Sequence, residues 1–354
     1  MKCIYFKGSE PIFKFTKREH VIPAGLGGGE KLPLGYVSDE ANELFSSTEL
    51  VALRKTFLAI NRENVGPGKR GSMNAKKIKD PNIRVLKDVD FNGDNFKLGF
   101  AFAGETYVIP QIYLNFNDIE STCMPMYFAT ELDGQNGRKI IYNFRLDLTQ
   151  FLLNKNRTFK LIEMPFKTDK HFIAIGSYNN KWFAATSHKY INMDYLSYFF
   201  LKDIVDENLE DKDDKTCGKI LQNYQYQLDL NTHEFYFIYV KTAFNALALF
   251  MGVEFVSDDI FNSIREAILN VINCSNFVVH DFNVNESIIN IISKSPEKSH
   301  YVIIESKENY IFAYVGFYGE KEPAIIRLTS EYKGNAFTKT LICDWQNKKE
   351  YLLS

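Results

Sequence analysis

Three polar side chains near the start of the chain have the types and spacing needed to hydrolyse a phosphodiester. Glu19 and His20 are adjacent, and Asn42 follows a glycine-rich turn. A carboxylate and an amide oxygen suit Mg²⁺, which prefers oxygen ligands, and a neutral imidazole can take a proton from water near neutral pH. The three residues predict a site with one divalent ion, in which Glu19 and Asn42 hold the metal and His20 is the general base.

The chain around these residues must turn to bring them together. Successive side chains of a strand point to opposite faces, so Glu19 and His20 can share a site only where the backbone bends. The glycines at 27–29 allow such a bend, and Asn42 falls at the start of a predicted helix. Glu49 lies two helical turns past Asn42 on the same face, where it either supports the metal or is a solvated helix acid.

The segment that holds these residues resembles the HNH endonuclease family. The shared pattern is an acid and a histidine followed by two apolar residues and a proline, then a glycine pair, and later an asparagine that opens a helix. The likeness covers about the first 75 residues and is carried by Glu19, His20, Val21, Ile22, Pro23, Gly27, Gly28, Val37, Ser38, Asp39, Glu40, Ala41, Asn42, Phe45 and Ser46.

This resemblance implies a fold, an activity and a cofactor. The fold would be a ββα-metal nuclease domain, and the substrate would be double-stranded DNA. The cofactor would be Mg²⁺ or Mn²⁺. His20 would activate the attacking water, while Glu19 and Asn42 would bind the ion.

Two features depart from the family pattern. Many members brace the site with zinc held by two Cys-x-x-Cys pairs, but here Phe6 stands three positions after Cys3, and Ser38 and Ala41 replace the second pair. Structural zinc normally takes four nitrogen or sulfur ligands, so no structural zinc is expected. The family's middle asparagine, which orients the histidine loop, falls near Pro33, and a proline cannot donate in its place.

Charge is distributed unevenly along the chain. Residues 1–80 carry a net charge of +5 and the remainder −7. Arg54, Lys69 and Arg70 belong to the basic stretch that follows the predicted helix, and 66–71 is rich in glycine. Beside a phosphodiester site such residues are predicted to bind DNA phosphates. The alternative is an ordinary solvated basic face.

The rest of the chain predicts a larger α+β domain with antiparallel sheets. A length of 354 residues with 45% hydrophobic content indicates a globular protein of two or three domains. We predict a nuclease domain at 1–80 and a sensing or recognition domain at 81–354, with a further division near 210–230. Strands are predicted at 96–102, 105–114, 139–148, 158–164, 171–175, 277–280, 287–293, 300–305, 310–317 and 323–328.

A helical pair is predicted between these strands. Apolar residues at three- and four-residue spacing indicate a helix from 231 to near Gly252, and Ser257 would cap a second helix. Lys241 and Asn245 lie on the first helix among aromatic residues. The aromatic residues are predicted to have a packing role.

Five scattered cysteines lack the spacing of a disulfide framework or a metal site. The start lacks the basic and apolar regions of a signal peptide, and no apolar run is long enough to span a membrane. These features predict a cytoplasmic protein that does not engage a membrane.

The sequence therefore favours a metal-dependent DNA endonuclease. By analogy with nuclease domains fused to sensing domains, it would belong to bacterial restriction or anti-phage defence and respond to an activating ligand or a phage component. Two alternatives stay open: a non-catalytic protein that binds nucleic acid or a partner on a degenerate HNH fold, and an RNA nuclease. DNA and RNA cannot be separated here because no residue reports on the 2′-hydroxyl.

Overall fold

The computed structural model forms two compact units. The residues it describes are 1–8, 12–67, 73–74, 78, 80–88, 95–116, 125–128, 137–154, 158–169, 171–187, 224–225, 232–280 and 283–353. One unit combines Met1–Asn74 with Asp229–Ser354, and the other is Ala75–Leu228. This division differs from the predicted domains at 1–80 and 81–354, because the amino-terminal segment shares a hydrophobic core with the carboxy-terminal part of the chain.

The amino-terminal segment of the first unit contains helices α1 (Asp39–Lys55) and α2 (Phe57–Val65). The hairpin before α1 is reduced to a single antiparallel bridge between His20 and Lys31, followed by a short 3-10 turn at Ala24–Leu26. The α+β class is therefore confirmed, whereas the described residues of this segment do not confirm a ββα-metal domain.

The second unit contains two sheets and one described helix. Its elements are β1 (Arg84–Asp88), β2 (Asn95–Phe102), β3 (Glu105–Val108), β4 (Gln111–Phe116), β5 (Pro125–Phe128), α3 (Gly137–Leu153), β6 (Lys160–Ile162), β7 (His171–Tyr178), β8 (Lys181–Thr186) and β9 (Tyr224–Gln225). One sheet has the order β3-β2-β1-β9 and the other β5-β4-β7-β8-β6. Their described strand pairs are antiparallel except for β6 with β8, as predicted for most of the strands.

The predicted strand at 139–148 is wrong, because these residues belong to α3. Ile141, Phe144, Leu148 and Phe151 are buried at three- and four-residue spacing, and the last three pack on the sheet that contains β4 and β7. Isoleucine and phenylalanine are typical of strands, but the helical period of the apolar positions decides which backbone can bury all of them on one face.

The described residues in the rest of the first unit form four α-helices and a six-stranded sheet. These elements are α4 (Thr232–Met251), α5 (Val253–Val256), α6 (Asn262–Asn270), β10 (Val278–Val279), α7 (Glu286–Lys294), β11 (His300–Lys307), β12 (Tyr310–Gly316), β13 (Ala324–Thr329), β14 (Thr338–Asp344) and β15 (Lys349–Leu353). The sheet has the order β10-β13-β12-β11-β14-β15 and is antiparallel throughout.

The first predicted helix of the pair is confirmed as α4, which ends at Met251, just before Gly252 with its positive φ of 85°. The second begins slightly later than predicted, because Asp258 and not Ser257 caps the 3-10 turn that leads into α6. The predicted strand at 287–293 is wrong: Asn285 caps α7, and its side-chain oxygen accepts a hydrogen bond from the Ile288 amide at 2.9 Å.

The six-stranded sheet has helices on both faces. Val302, Ala313 and other side chains of one face pack with α4 and the amino-terminal segment, whereas Tyr301 and Ile303 of the opposite face pack with Ile288 of α7. Residues 237–248 of α4 are all buried, so this helix is enclosed on every side. None of the helices in the described ranges is both long and apolar enough to cross a membrane.

Candidate functional site

The loop that carries Glu19 and His20 is closed by backbone hydrogen bonds. The Leu32 amide donates to the Glu19 carbonyl at 2.8 Å, and the Val21 amide donates to the Glu30 carbonyl at 3.0 Å. Gly28 lies against the Ile22 carbonyl so closely that a Cβ would approach its oxygen within 2.0 Å. The glycine is therefore required for the tight return of this loop.

Helix α1 is attached to the same loop through its first turn. Ser38 caps the helix by accepting from the Ala41 amide at 3.2 Å. The Asp39 carboxylate accepts from the Thr16 hydroxyl at 2.6 Å and from the Lys17 amide at 3.0 Å. Because Lys17 lies two residues before Glu19, these contacts fix the start of α1 relative to the predicted catalytic pair.

Helix α4 supplies two polar side chains that point towards this segment. Lys241 and Asn245 are four residues apart, so they lie one turn apart on one helix face. Both are buried, with exposed fractions of 2% and 0%. Buried polar groups need partners, and each of these two finds its partner in the first 50 residues.

The Lys241 ammonium lies between two carboxylates. It forms a short ion pair with Glu19 Oε1 and a second with Glu49 Oε1 at 2.9 Å. The ammonium also lies 5.3 Å from the centre of the Phe45 ring, a distance suited to a cation–π contact. We call Glu19, Glu49 and Lys241 the acid-pair cluster.

The pKa of Lys241 indicates that its ammonium keeps its charge. Burial alone would lower the pKa of the ammonium, but the neighbouring Glu19 and Glu49 carboxylates outweigh burial and raise it. Lys241 therefore stays protonated at physiological pH. One positive charge compensates much of the charge of the two acids.

Asn245 supports the histidine loop. Its amide nitrogen donates to the His20 carbonyl at 3.1 Å, and its amide oxygen accepts from the Tyr5 hydroxyl at 2.5 Å. The same carboxamide thus connects the first residues of the chain, α4 and the loop. The support of His20 that the sequence leaves unexplained comes from this residue.

His20 lies between the acid-pair cluster and a more open region. Burial, followed by the positive charge of Lys31, lowers the pKa of the imidazole below its ordinary value, while Glu49 acts in the opposite direction. A lowered pKa keeps the ring neutral near pH 7, which is the form that can accept a proton. His20 thus has the protonation state that a general base requires.

The open region beside His20 is a cavity of about 590 Å³. We call it the His20 pocket. Its walls come from the glycine-rich loop, from the end of β14 and from the start of β15. The lining residues are His20, Ala24, Gly27, Gly28, Gly29, Lys31, Cys343, Asp344, Trp345, Lys348, Lys349 and Glu350.

Three lysines and two carboxylates line the His20 pocket, but the carboxylates are engaged within the protein. Asp344 is buried and accepts from the Asn347 side chain at 2.8 Å and from its amide at 3.2 Å. Glu350 accepts from the Gly29 amide at 2.9 Å. Lys348 and Lys349 are exposed and face solvent, whereas Lys31 is partly buried.

The glycine-rich loop is held from behind by His300 of β11. Its Nε2 atom lies 2.8 Å from the Leu26 carbonyl, and its Nδ1 atom accepts from the Tyr318 amide at 2.9 Å. The contact with Leu26 requires a proton on Nε2, and the contact with Tyr318 requires an unprotonated Nδ1 that can accept a hydrogen bond. Burial lowers the pKa of this imidazole to about 4, so both contacts suit a neutral ring.

The structure brings some of the predicted site residues together. Glu19 and Glu49 meet at Lys241, and His20 lies close enough to Glu49 for its charge to affect the imidazole pKa. Both side-chain polar atoms of Asn42 are buried without a hydrogen-bond partner among the described residues. Because the Glu49 carboxylate is paired with the buried Lys241 ammonium, Glu49 is not the solvated helix acid of the alternative interpretation.

The predicted phosphate-binding residues are placed only in part. Arg54 lies in the last turn of α1. Lys69 and Arg70 lie outside the described residues. In the ranges that are described, no group of three or more His, Cys, Asp or Glu side chains is arranged to hold a metal ion.

The predicted magnesium ligands do not fit a divalent ion as they stand. The unpartnered Asn42 amide would suit a ligand, but the Glu19 carboxylate is already bound by the Lys241 ammonium. A hard cation needs carboxylate charge to give up its waters, and it is repelled by an ammonium a few ångströms away. The pair of Glu19 and Asn42 is therefore unsuited to Mg²⁺ while Lys241 is charged.

Sequence reasoning missed the roles of Lys241 and Asn245. Both were placed on the right helix, but their contacts join residues more than 190 positions apart. The available signal was a lysine and an asparagine one turn apart in a helix that is otherwise almost wholly apolar. Charged residues are rarely buried unless paired, so this pattern predicts polar partners elsewhere in the chain.

Comparisons of the chain with family models, with curated proteins and with solved structures find no match.

Proposed function

We propose that this protein binds the phosphate backbone of a nucleic acid in the His20 pocket, on an HNH-like segment that is not used as a metal-dependent nuclease. The observation that carries the proposal is the composition of the pocket beside a neutral His20: three lysines, two of them exposed, and two carboxylates that are already engaged. Lysine side chains are common phosphate contacts in nucleic-acid complexes.

The glycine-rich loop supports an anion-binding role for this pocket. The Gly29 amide donates to the Glu350 carboxylate at 2.9 Å, so the loop already presents an N–H group to an anionic oxygen. Backbone N–H groups of tight glycine turns are frequent anion ligands. A phosphate oxygen in the pocket would contact the Gly29 N–H together with Lys31 and Lys349. The Glu350 carboxylate would compete with the phosphate for this N–H.

Other parts of the first unit can replace the supports that an HNH site usually has. Asn245 orients the His20 loop in place of the missing middle asparagine. The amino terminus is held by Arg265 of α6, whose Nε donates to the Ile4 carbonyl at 2.7 Å, and Cys3 is a buried free thiol in the core. These contacts support an HNH-like loop that is braced by packing.

The proposal is tested by the affinity of the full chain for labelled DNA and RNA oligonucleotides over a range of salt concentrations. Lys348→Glu/Lys349→Glu should weaken binding at least about tenfold and reduce its salt dependence. Lys321→Glu/Lys333→Glu has the same change of charge on exposed residues outside the pocket, and it should bind nearly as well as the parent. Equal affinities for both double variants would refute the proposal.

A second candidate is the metal-dependent DNA endonuclease implied by the resemblance, with a biological role in restriction or anti-phage defence. The unpartnered, buried amide of Asn42 and the lowered pKa of His20 favour it. It requires Glu19 to exchange Lys241 for a metal ion when substrate binds. The test is plasmid nicking by the parent protein with Mg²⁺ or Mn²⁺. Nicking that is lost in His20→Ala would support this candidate over simple binding.

A further inference from the structure

We infer that Lys241 is the resident cation of the acid-pair cluster. Its ammonium occupies the position between Glu19 and Glu49 that a divalent ion would need, and removal of the lysine converts the two acids into a divalent-cation site. The inference concerns the occupant of the acid pair. It does not depend on whether the His20 pocket binds nucleic acid.

The geometry that supports this inference is specific to a cation between two acids. The carboxylates come from separate parts of the chain, the histidine loop and α1, and both pair with the Lys241 nitrogen. Their side chains are largely buried, with exposed fractions of 13% for Glu19 and 22% for Glu49. Two partly desolvated acids repel each other unless a positive charge lies between them.

Lys241 is not a side chain that can leave this position easily. Its neighbours in α4, Val240 and Thr242, are also buried, and the helix is enclosed in the core. Moving the ammonium into that core without its acids would leave a buried charge unpaired, which is strongly unfavourable. The lysine is therefore a fixed part of the protein, unlike a metal ion that exchanges with solvent.

Charge balance explains why the lysine excludes a divalent ion. A second cation placed at the two carboxylates would lie a few ångströms from the ammonium, in a region shielded from water. Without Lys241, two carboxylates would remain, and Mg²⁺ or Mn²⁺ could bind them while keeping several waters. Asn42, Phe45 and Glu49 follow one face of α1, so the unpartnered Asn42 amide lies on the face that carries the cluster.

The test is a Mn²⁺ titration of the full chain, followed by the electron paramagnetic resonance signal of the free ion. Lys241→Ala should bind one more Mn²⁺ per chain than the parent protein, or bind it at least about tenfold more tightly. The ion should also raise the melting temperature of this variant. Adding Glu19→Gln to Lys241→Ala should remove the gain, and Lys7→Ala, which removes an exposed ion pair with Asp259, should show none.

Two results would overturn the inference. One is a folded Lys241→Ala variant that gains no Mn²⁺ site. The other is tight Mn²⁺ binding by the parent protein that the substitution Glu19→Gln abolishes. If Lys241→Ala does not fold, the second comparison decides the question by itself, and equal Mn²⁺ binding by the parent and Glu19→Gln supports the inference. Nucleic-acid affinity is measured separately, so the two proposals can fail independently.

Discussion

The two regions on either side of His20 differ in how they handle charge. In the acid-pair cluster, a buried ammonium lies between two acids and compensates much of their charge inside the protein. In the His20 pocket, the two acids are bound to protein N–H groups while Lys348 and Lys349 face solvent. From this difference we expect the closed region to contribute to stability, and the open region is the one that we propose for binding.

The largest expected effect is on stability, from loss of the central cation. Lys241→Ala should lower the free energy of unfolding by about 3 kcal/mol, because it leaves two partly buried carboxylates without a counter-charge. Lys348→Ala in the pocket should change it by less than about 0.5 kcal/mol. Urea unfolding at pH 7 with EDTA present measures both. Similar losses for the two variants would remove the distinction between the regions.

A comparable effect is expected from acid, through His300 behind the glycine-rich loop. Its pKa is about 4 in the folded protein and about 6.5 when unfolded. Between these values the unfolded chain binds a proton that the folded chain does not, so stability falls as pH drops from about 6.5 to about 4. The total contribution is on the order of 3 kcal/mol.

The contribution of His300 is isolated by comparison with His300→Gln, whose amide has no charge to gain. The unfolding free energy of the parent should decrease more steeply than that of the variant between pH 6.5 and 4. Parallel pH profiles would show that the imidazole is not held neutral by burial.

An intermediate effect is expected at the support of the histidine loop. Asn245→Ala should cost about 1–3 kcal/mol, because it leaves the His20 carbonyl and the Tyr5 hydroxyl without their partner. It should also weaken nucleic-acid binding, since the loop forms a wall of the His20 pocket. Tyr5→Phe removes only the second contact, and it should leave binding near the parent value. Equal loss of binding in both variants would argue against a specific support of the loop.

The smallest expected effect is a pair of opposite shifts in the pKa of His20. Lys31 lowers this pKa from the pocket side and Glu49 raises it from the cluster side. Lys31→Gln should therefore raise the pKa, and Glu49→Gln should lower it. The imidazole proton resonances followed by NMR between pH 4 and 8 report both changes. Shifts of the same sign would mean that His20 does not lie between the two regions.

The sequence predicted helices and strands where the spacing of apolar residues and the residue types favour the same structure. It missed elements whose residue types are typical of strands but whose apolar residues recur at helical spacing. Helix α4 was found from the spacing of its apolar residues, and most strands of the six-stranded sheet were also predicted. Two segments were wrongly assigned to strands: 139–148, which contains isoleucine and aromatic residues, and 287–293, which is rich in isoleucine. Both are helices that bury one apolar face on a sheet, and tertiary packing decided their conformation.

The candidate site was predictable only where its residues are local in sequence. Glu19, His20 and Asn42 were singled out from a motif within the first 50 residues, and Glu49 only from its spacing to Asn42. Lys241 and Asn245 act through contacts across 192 to 225 positions. No local pattern reports which acids a buried lysine will meet, because that depends on how α4 packs against α1 and the loop.

The most direct test of this account is the affinity of the full chain for a labelled duplex, measured by fluorescence anisotropy in EDTA and in Mg²⁺ at equal ionic strength. If Lys241 supplies the cation of the closed region and the pocket lysines bind phosphate, the duplex binds in EDTA with nearly the same affinity as in Mg²⁺. Binding that requires Mg²⁺ and disappears in Glu19→Gln would contradict it and would restore the metal-dependent site.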